Sequence, residues 1–258
     1  AGARTVKICY DRRRHSQEGL LFPKSAEFQG HALLVYNDAV FSERDFESVQ
    51  QVGNSKKRGV WGKTGRFGIG FNSVYHLTEL PQFASGTRVI WFDPQARFLP
   101  GVNPANPGKM IDFLHPGVLE RFADQLAPFK VFGCTMEAAL DATIFRLPLR
   151  TEQQAQRSAI AQHSFTDAEV GGLLQDLAQA AGSMLLFLKN VESIEIYERP
   201  AEGGFEDLNA KPVCPAHFPQ WAETMDRWGG LMLAAVTTCA APSALASSPR
   251  SWKASRTC

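Results

Sequence analysis

The chain has 258 residues, 44% of them hydrophobic and 21% charged, which suits one large or two small globular domains and excludes a wholly disordered chain. Its formal net charge of +1, from 27 basic and 26 acidic residues, supplies no global field for nucleic acid or an anionic membrane surface. Five single cysteines (Cys9, Cys134, Cys214, Cys239, Cys258) without a C-x-x-C pair argue against a disulfide framework or structural zinc, and for a reducing compartment.

In chain order, residues 5–10 alternate apolar with other side chains and predict a strand, which Arg12-Arg13-Arg14-His15 ends in solvent. Residues 31–36 form a nearly continuous apolar run, the pattern of a strand covered on both faces. Ser42-Glu43-Arg44-Asp45 is an S-x-x-D capping box and predicts a short helix to about Val52. Residues 53–70 read as a Gly- and Lys-rich loop, and 71–77 as a helix. A strand at 87–92 is closed by Asp93-Pro94, the proline-bearing stretch 98–107 is a loop, and 118–126 predicts a short helix. Residues 142–149 alternate strictly, with Pro148 marking a sheet edge or strand end. Thr166-Asp167-Ala168-Glu169 is a second capping box. It opens a helix with apolar residues at Val170, Leu173, Leu174, Leu177, Ala181, Met184, Leu185 and Leu188, a spacing that predicts one core-facing stripe. Residues 191–197 give a last strand. After about Gly229 the chain is rich in Ala, Ser and Thr with little periodicity, the composition of a disordered tail. Strands and helices returning to one sheet predict an α+β protein, a two-layer α/β sandwich whose mixed sheet carries helices on one face.

Nothing at the start reads as a leader and no stretch is long and apolar enough to cross a bilayer, so the expectation is an intracellular, cytoplasmic protein with neither membrane nor nucleic acid as partner. The six histidines show no metal-ligand spacing.

The stretch that carries chemistry is Lys63-Thr64-Gly65-Arg66-Phe67-Gly68-Ile69-Gly70-Phe71-Asn72-Ser73. Three glycines in G-x-x-G-x-G before an apolar helix let backbone N–H groups approach an anion, and the helix N-terminus adds its positive end. A Rossmann fingerprint would need a strand directly before Gly65, where the basic loop Asn54-Ser55-Lys56-Lys57-Arg58 stands. A P-loop would need glycine at position 57, which is Lys57. A Gly-rich turn without a ligand is the plain alternative.

The wording Gly65-Arg66-Phe67-Gly68-Ile69-Gly70-Phe71-x-Ser73-x-Tyr75 resembles the nucleotide lid of the heat-shock chaperone ATPases in the GHKL superfamily. Further blocks in the same order resemble the sacsin and Nov-type proteins of that superfamily more closely. They are Tyr36-Asn37-Asp38, Phe41-Ser42-x-x-Asp45-Phe46, Phe92-Asp93-Pro94, Val131-Phe132-Gly133-Cys134 and Thr143-x-Phe145-Arg146-Leu147. The resemblance implies a GHKL (Bergerat) nucleotide-binding domain over 1–200, with 201–258 as a continuation and tail.

It also implies an ATP site with Mg²⁺ in four parts. The first, a helix carrying the catalytic base and the Mg²⁺ ligand, would lie before Ala1-Gly2-Ala3, so no catalytic or metal-binding residue is expected within the chain and ATP turnover by it is not expected. The second is an adenine reader within D-x-G-x-G; Asn37 stands at the acid, Asp38 follows, and both glycines are replaced. Asn37 can still accept from an amino group, although Asn37-Asp38 also suits a plain turn. The third is the lid, with Gly65, Phe67, Gly68, Ile69, Gly70 and Phe71 wrapping phosphates; Lys63 and Arg66 could add charge to phosphate or be solvated. The fourth is Thr143, a late-strand threonine that would join the adenine network. Two functions follow: an ATP-binding module of a chaperone-type protein that acts on client proteins or with other chaperones, or a non-catalytic scaffold that kept the fold.

Overall fold

The computed structural model describes residues 2–50, 71–201 and 214–217. All of them belong to one unit, Ala1–Phe218; a second unit, Pro219–Cys258, lies outside the described residues together with the tail predicted there. Eight strands form one sheet: β1 (Thr5–Asp11), β2 (Ala32–Asn37), β3 (Gln82–Gly86), β4 (Arg88–Phe92), β5 (Gly108–Asp112), β6 (Leu140–Pro148), β7 (Ser193–Arg199) and β8 (Cys214–His217). Their spatial order is β5-β4-β3-β6-β2-β1-β7-β8. Every pairing is antiparallel except β1 with β7, so the sheet is mixed.

The period-2 alternation of the strands sorts the core onto two faces. One face carries Cys9, Leu34, Ala84, Val89, Trp91 and Ile144, covered by Phe22, Phe28, Leu126 and Phe129. That cover comes from 3₁₀ turns at Pro23–Phe28 and Ala127–Phe129 and from α2 (Val118–Arg121) and α3 (Ala123–Leu126), so the helix predicted over 118–126 is two short turns of helix. The other face carries the longer helices α1 (Glu43–Gln50) and α5 (Asp167–Leu185). There α5 packs on Tyr10, Ile194 and Ile196, and Phe46 of α1 packs on Phe83, Ile90 and Phe92. Each fully buried side chain of this size contributes roughly 1.5–3 kcal/mol.

Both predicted capping boxes form. Ser42 Oγ donates to the Asp45 carboxylate at 2.7 Å while Asp45 N donates back to Ser42 Oγ, and Thr166 and Glu169 do the same for α5. A third box, Thr151 with Gln154, opens α4 (Glu152–Arg157). The stripe predicted along α5 is only partly core. Val170, Leu174, Ala181 and Leu185 are buried, whereas Leu173 is 49% and Met184 41% exposed. At 3.6 residues per turn those two sit about 40–60° to one flank of Val170, past the edge of the contact with β1 and β7. Leu188, 40% exposed, lies beyond the end of the helix. The segment 71–77, predicted as a helix, is a 3₁₀ turn at Phe71–His76.

The Val131-Phe132-Gly133-Cys134 block is a tight turn in which Cys134 N donates to Val131 O at 2.9 Å. Phe132 and Gly133 both have positive φ (52° and 83°), and glycine removes the steric cost at one of the two. The turn sets Phe132 against Tyr36 and Tyr197. Asp93 of Phe92-Asp93-Pro94 is buried and accepts from Phe98 N and Leu99 N, which closes the loop after β4.

Candidate functional site

Three of the predicted site residues that the structure describes, Asn37, Asp38 and Thr143, meet at one end of the sheet, whereas Phe71 packs on Phe92 toward the other end. Asn37 is the last residue of β2 and pairs with Thr143 on β6, which pairs in turn with Ser85 on β3. Register partners share a face, so Asn37, Thr143 and Ser85 stand in a row on the face that bears α1 and Phe41, Phe83 and Phe145. Thr143 and Ser85 are fully buried and Asn37 is half-buried.

Their hydroxyls form a directed chain. Phe41 N donates to Ser85 Oγ at 2.9 Å, Ser85 Oγ lies 2.8 Å from Thr143 Oγ1, and Thr143 Oγ1 donates to Ala39 O at 2.7 Å. Because the Thr143 proton goes to Ala39, the Ser85 hydroxyl is the donor between the two, shared with Ala142 O at 3.2 Å. The chain ties residues 39–41 to β3 and β6. Asn37 Oδ1 accepts from Ala39 N at 3.2 Å, an Asx turn, and its amide nitrogen has no partner among the described residues. Asp38 is exposed, and its Oδ1 accepts from Arg4 N and Thr5 N at 2.8 and 3.0 Å, which aligns the start of β1. Sequence reasoning missed Ser85, which only the strand register brings beside Thr143.

Lys63, Gly65, Arg66, Phe67, Gly68, Ile69 and Gly70 lie outside the described residues. Phe71, the first described residue after them, packs its ring 5.2 Å from Phe92 and joins the aromatic cluster with Phe46 and Phe83. Burial, and then the Asp93 carboxylate, push the Tyr75 phenol above its ordinary range, so it stays neutral.

The end of the Phe71–His76 turn is held by Arg150, a residue that sequence reasoning did not single out. Arg150 is buried and donates to Tyr75 O (2.7 Å), His76 O (2.9 Å), His163 O (3.2 Å) and Glu79 Oε1 (2.5 Å). Glu79 also accepts from Ser158 Oγ and Gln95 Nε2, so this buried pair is fully hydrogen-bonded. A second group of buried charges lies at the same end of the sheet. Arg13 bonds both oxygens of Asp11 at 2.8 and 2.6 Å, with His15 Nε2 at 3.5 Å. Burial raises the Asp11 carboxyl, but the nearby His15 ring and the hydrogen bonds from Arg13 outweigh it and hold the group well below the usual carboxylate range. Arg146 is also buried. It donates to Gly30 O at 3.0 Å and Gln82 Oε1 at 3.4 Å, and desolvation pushes its guanidinium down to about 10, still charged at neutral pH.

Among the described residues, no group of three His, Cys, Asp or Glu is placed to hold a metal ion, and no helix is long and apolar enough to cross a membrane.

A family model described as "Sacsin domain" matches residues 1–210. The human protein "Sacsin" is 38% identical over 204 residues, which covers 76% of this chain and 4% of that protein. The chain thus spans only about 4% of the length of the curated relative it matches.

Proposed function

The chain belongs to the sacsin domain family, and on that premise we propose that it is an adenine-nucleotide-binding module of GHKL type within a chaperone-type protein. The observation that supports this reading is the Asn37–Thr143–Ser85 row, with the Asn37 amide nitrogen unpartnered among the described residues. An asparagine side chain can donate to one ring nitrogen of adenine while its oxygen, which has a second lone pair, accepts from the exocyclic amino group. Asp38, aligned on the start of β1, is the helper here and Asn37 the reader. Thr143 and Ser85 act on the base through the backbone of 39–41, which they hold beside it. The glycines of 65–70 would offer backbone N–H groups to the phosphates, with Lys63 and Arg66 adding charge and Phe71 anchoring the end of the lid on the aromatic cluster. Mg²⁺ accompanying the nucleotide would offset part of the phosphate charge, with no described residue of this chain assigned to hold it.

A second reading, a scaffold that binds nucleotide weakly or not at all, has its own support. The two glycine positions after Asn37 are filled by Ala39 and Phe41, and the Thr143 proton is already used by Ala39 O.

Calorimetric titration of ATP and ADP with Mg²⁺ separates them. The first reading expects saturable binding that Gly68→Val/Gly70→Val abolishes and Asn37→Ala weakens about tenfold or more, as loss of a two-point base contact does. A folded wild-type chain that takes up neither nucleotide leaves the scaffold.

A further inference from the structure

At the opposite end of the sheet a cleft of about 360 Å³ lies between the Pro23–Phe28 turn, the loop after β4 and α4. Its walls include Lys24, Arg97, Arg157, Phe98, Glu27 and Glu79. We propose that it is a second binding site, for a phosphate or carboxylate group carried on a small apolar body.

The charges in the cleft do not cancel. Glu79 forms its floor with a side chain only 2% exposed, and the equally buried Arg150 balances it; donors from Arg150, Ser158 and Gln95 occupy its oxygens. Arg157 pairs with Glu27 at 2.8 Å. Lys24 and Arg97 remain. Lys24 Nζ donates to Arg97 O at 3.2 Å, and Arg97 Nη1 donates to Arg157 O at 2.5 Å. Among the described residues neither cation has a carboxylate partner. These carbonyl bonds tether both side chains at the cleft while leaving most of their N–H donors unused, because an ammonium has three and a guanidinium five. Two tethered cations facing one concavity are a receptor for an anion.

The remaining wall gives the second half of the ligand. Phe98 is half-buried, its ring set edge-on to the buried Phe28 at a centroid distance of 4.8 Å, a contact that favours its place on the wall. An aromatic surface beside two cations suits an anion with an apolar part better than a bare ion, and the volume lies in the range of small-molecule sites. The cleft is independent of the proposed nucleotide site. Glu79 precedes β3 and α4 follows β6, whereas Thr143 lies five residues before Pro148 on that strand, about 17 Å away at 3.3 Å per residue.

Titration with phenyl phosphate and phenylacetate at low salt, with benzyl alcohol as the uncharged control, tests the proposal. Either anion should bind saturably. The double variant Lys24→Gln/Arg97→Gln should weaken it about tenfold or more at an unchanged melting temperature, since both side chains are exposed. Gly68→Val/Gly70→Val should leave it untouched, which separates this site from the nucleotide reading. Binding of phenyl phosphate alone identifies phosphate as the group recognised, and equal binding of phenylacetate identifies a general anion site. Absence of saturable binding by both anions, binding unaltered in the double variant, or equal uptake of benzyl alcohol would each overturn the proposal.

Discussion

The two ends of β6 are held by opposite chemistries. At the Thr143 end, neutral hydroxyls on β3 and β6 fix the backbone of residues 39–41, and Asn37 beside them stays half-buried with an amide nitrogen to spare. At the other end buried charges do the holding: Arg150 with Glu79, Arg13 with Asp11, and Arg146 with two neutral acceptors. A buried charge left short of partners is costly, and there Arg150, Glu79, Arg13 and Asp11 are each hydrogen-bonded, while Arg146 Nε, Gln82 Nε2 and His15 Nε2 are buried without a hydrogen-bond partner among the described residues. A buried hydroxyl demands less. An end built from hydroxyls can leave a polar group open for a ligand, and the charged end supplies the rigid frame that makes the open end dependable.

The largest effect is expected from breaking the frame. Arg150→Met strands Glu79 and releases three carbonyls, and should cost about 3–5 kcal/mol, lowering the melting temperature by about 10 °C or more. Glu79→Leu/Arg150→Met, which removes both charges, should recover part of that loss. A melting temperature for Arg150→Met equal to that of the wild type would show that the pair is not the clamp its geometry describes.

A smaller effect, read through pH, comes from Asp11. Its folded carboxyl titrates below its unfolded value of about 3.9, so the ionised form stabilises the fold. That contribution is fully present above the unfolded value and is lost as the pH falls below it toward the folded one. Denaturant titrations should therefore show wild-type stability dropping below about pH 4. Asp11→Asn, already weaker by about 2–3 kcal/mol at pH 7, should show a shallower acid limb. Parallel curves for the two proteins would remove Asp11 from the frame.

Which parts of this arrangement the sequence disclosed follows from how local each signal is. The boxes at Ser42/Asp45 and Thr166/Glu169 involve residues three apart and were legible; the Thr151/Gln154 box is the same signal and could have been read too. β6 was legible from its alternation. β3 was not, because Gln82 and Ser85 read as polar and are buried only through Arg146 and Thr143 on the neighbouring strand. Asn37 could be placed at a strand end from its neighbours, but Ser85 entered the row only through register. Arg150 and Glu79 lie 71 residues apart, and no spacing rule joins them. The pattern of α5 gave its period but not the width of its contact, which is why Leu173 and Met184 were read as core.

The smallest effect is expected at the hydroxyl end. Thr143→Val keeps the branched shape and removes the proton given to Ala39 O, while Ser85 can still donate to Ala142 O. One carbonyl is then left short of a donor. Since the neighbouring Ala39 and Asn37 are only half-buried, water can reach that region, and the cost should stay near about 1 kcal/mol, at the lower end for a lost buried hydrogen bond. No group in the chain Phe41–Ser85–Thr143–Ala39 titrates between pH 4 and 8, so the loss should be the same across that range, in contrast to Asp11→Asn. A loss above about 3 kcal/mol, or one that varied with pH, would mean that the hydroxyls and the buried charges are coupled along β6. The open end would then be part of the frame, and a ligand at Asn37 would be felt at Arg150.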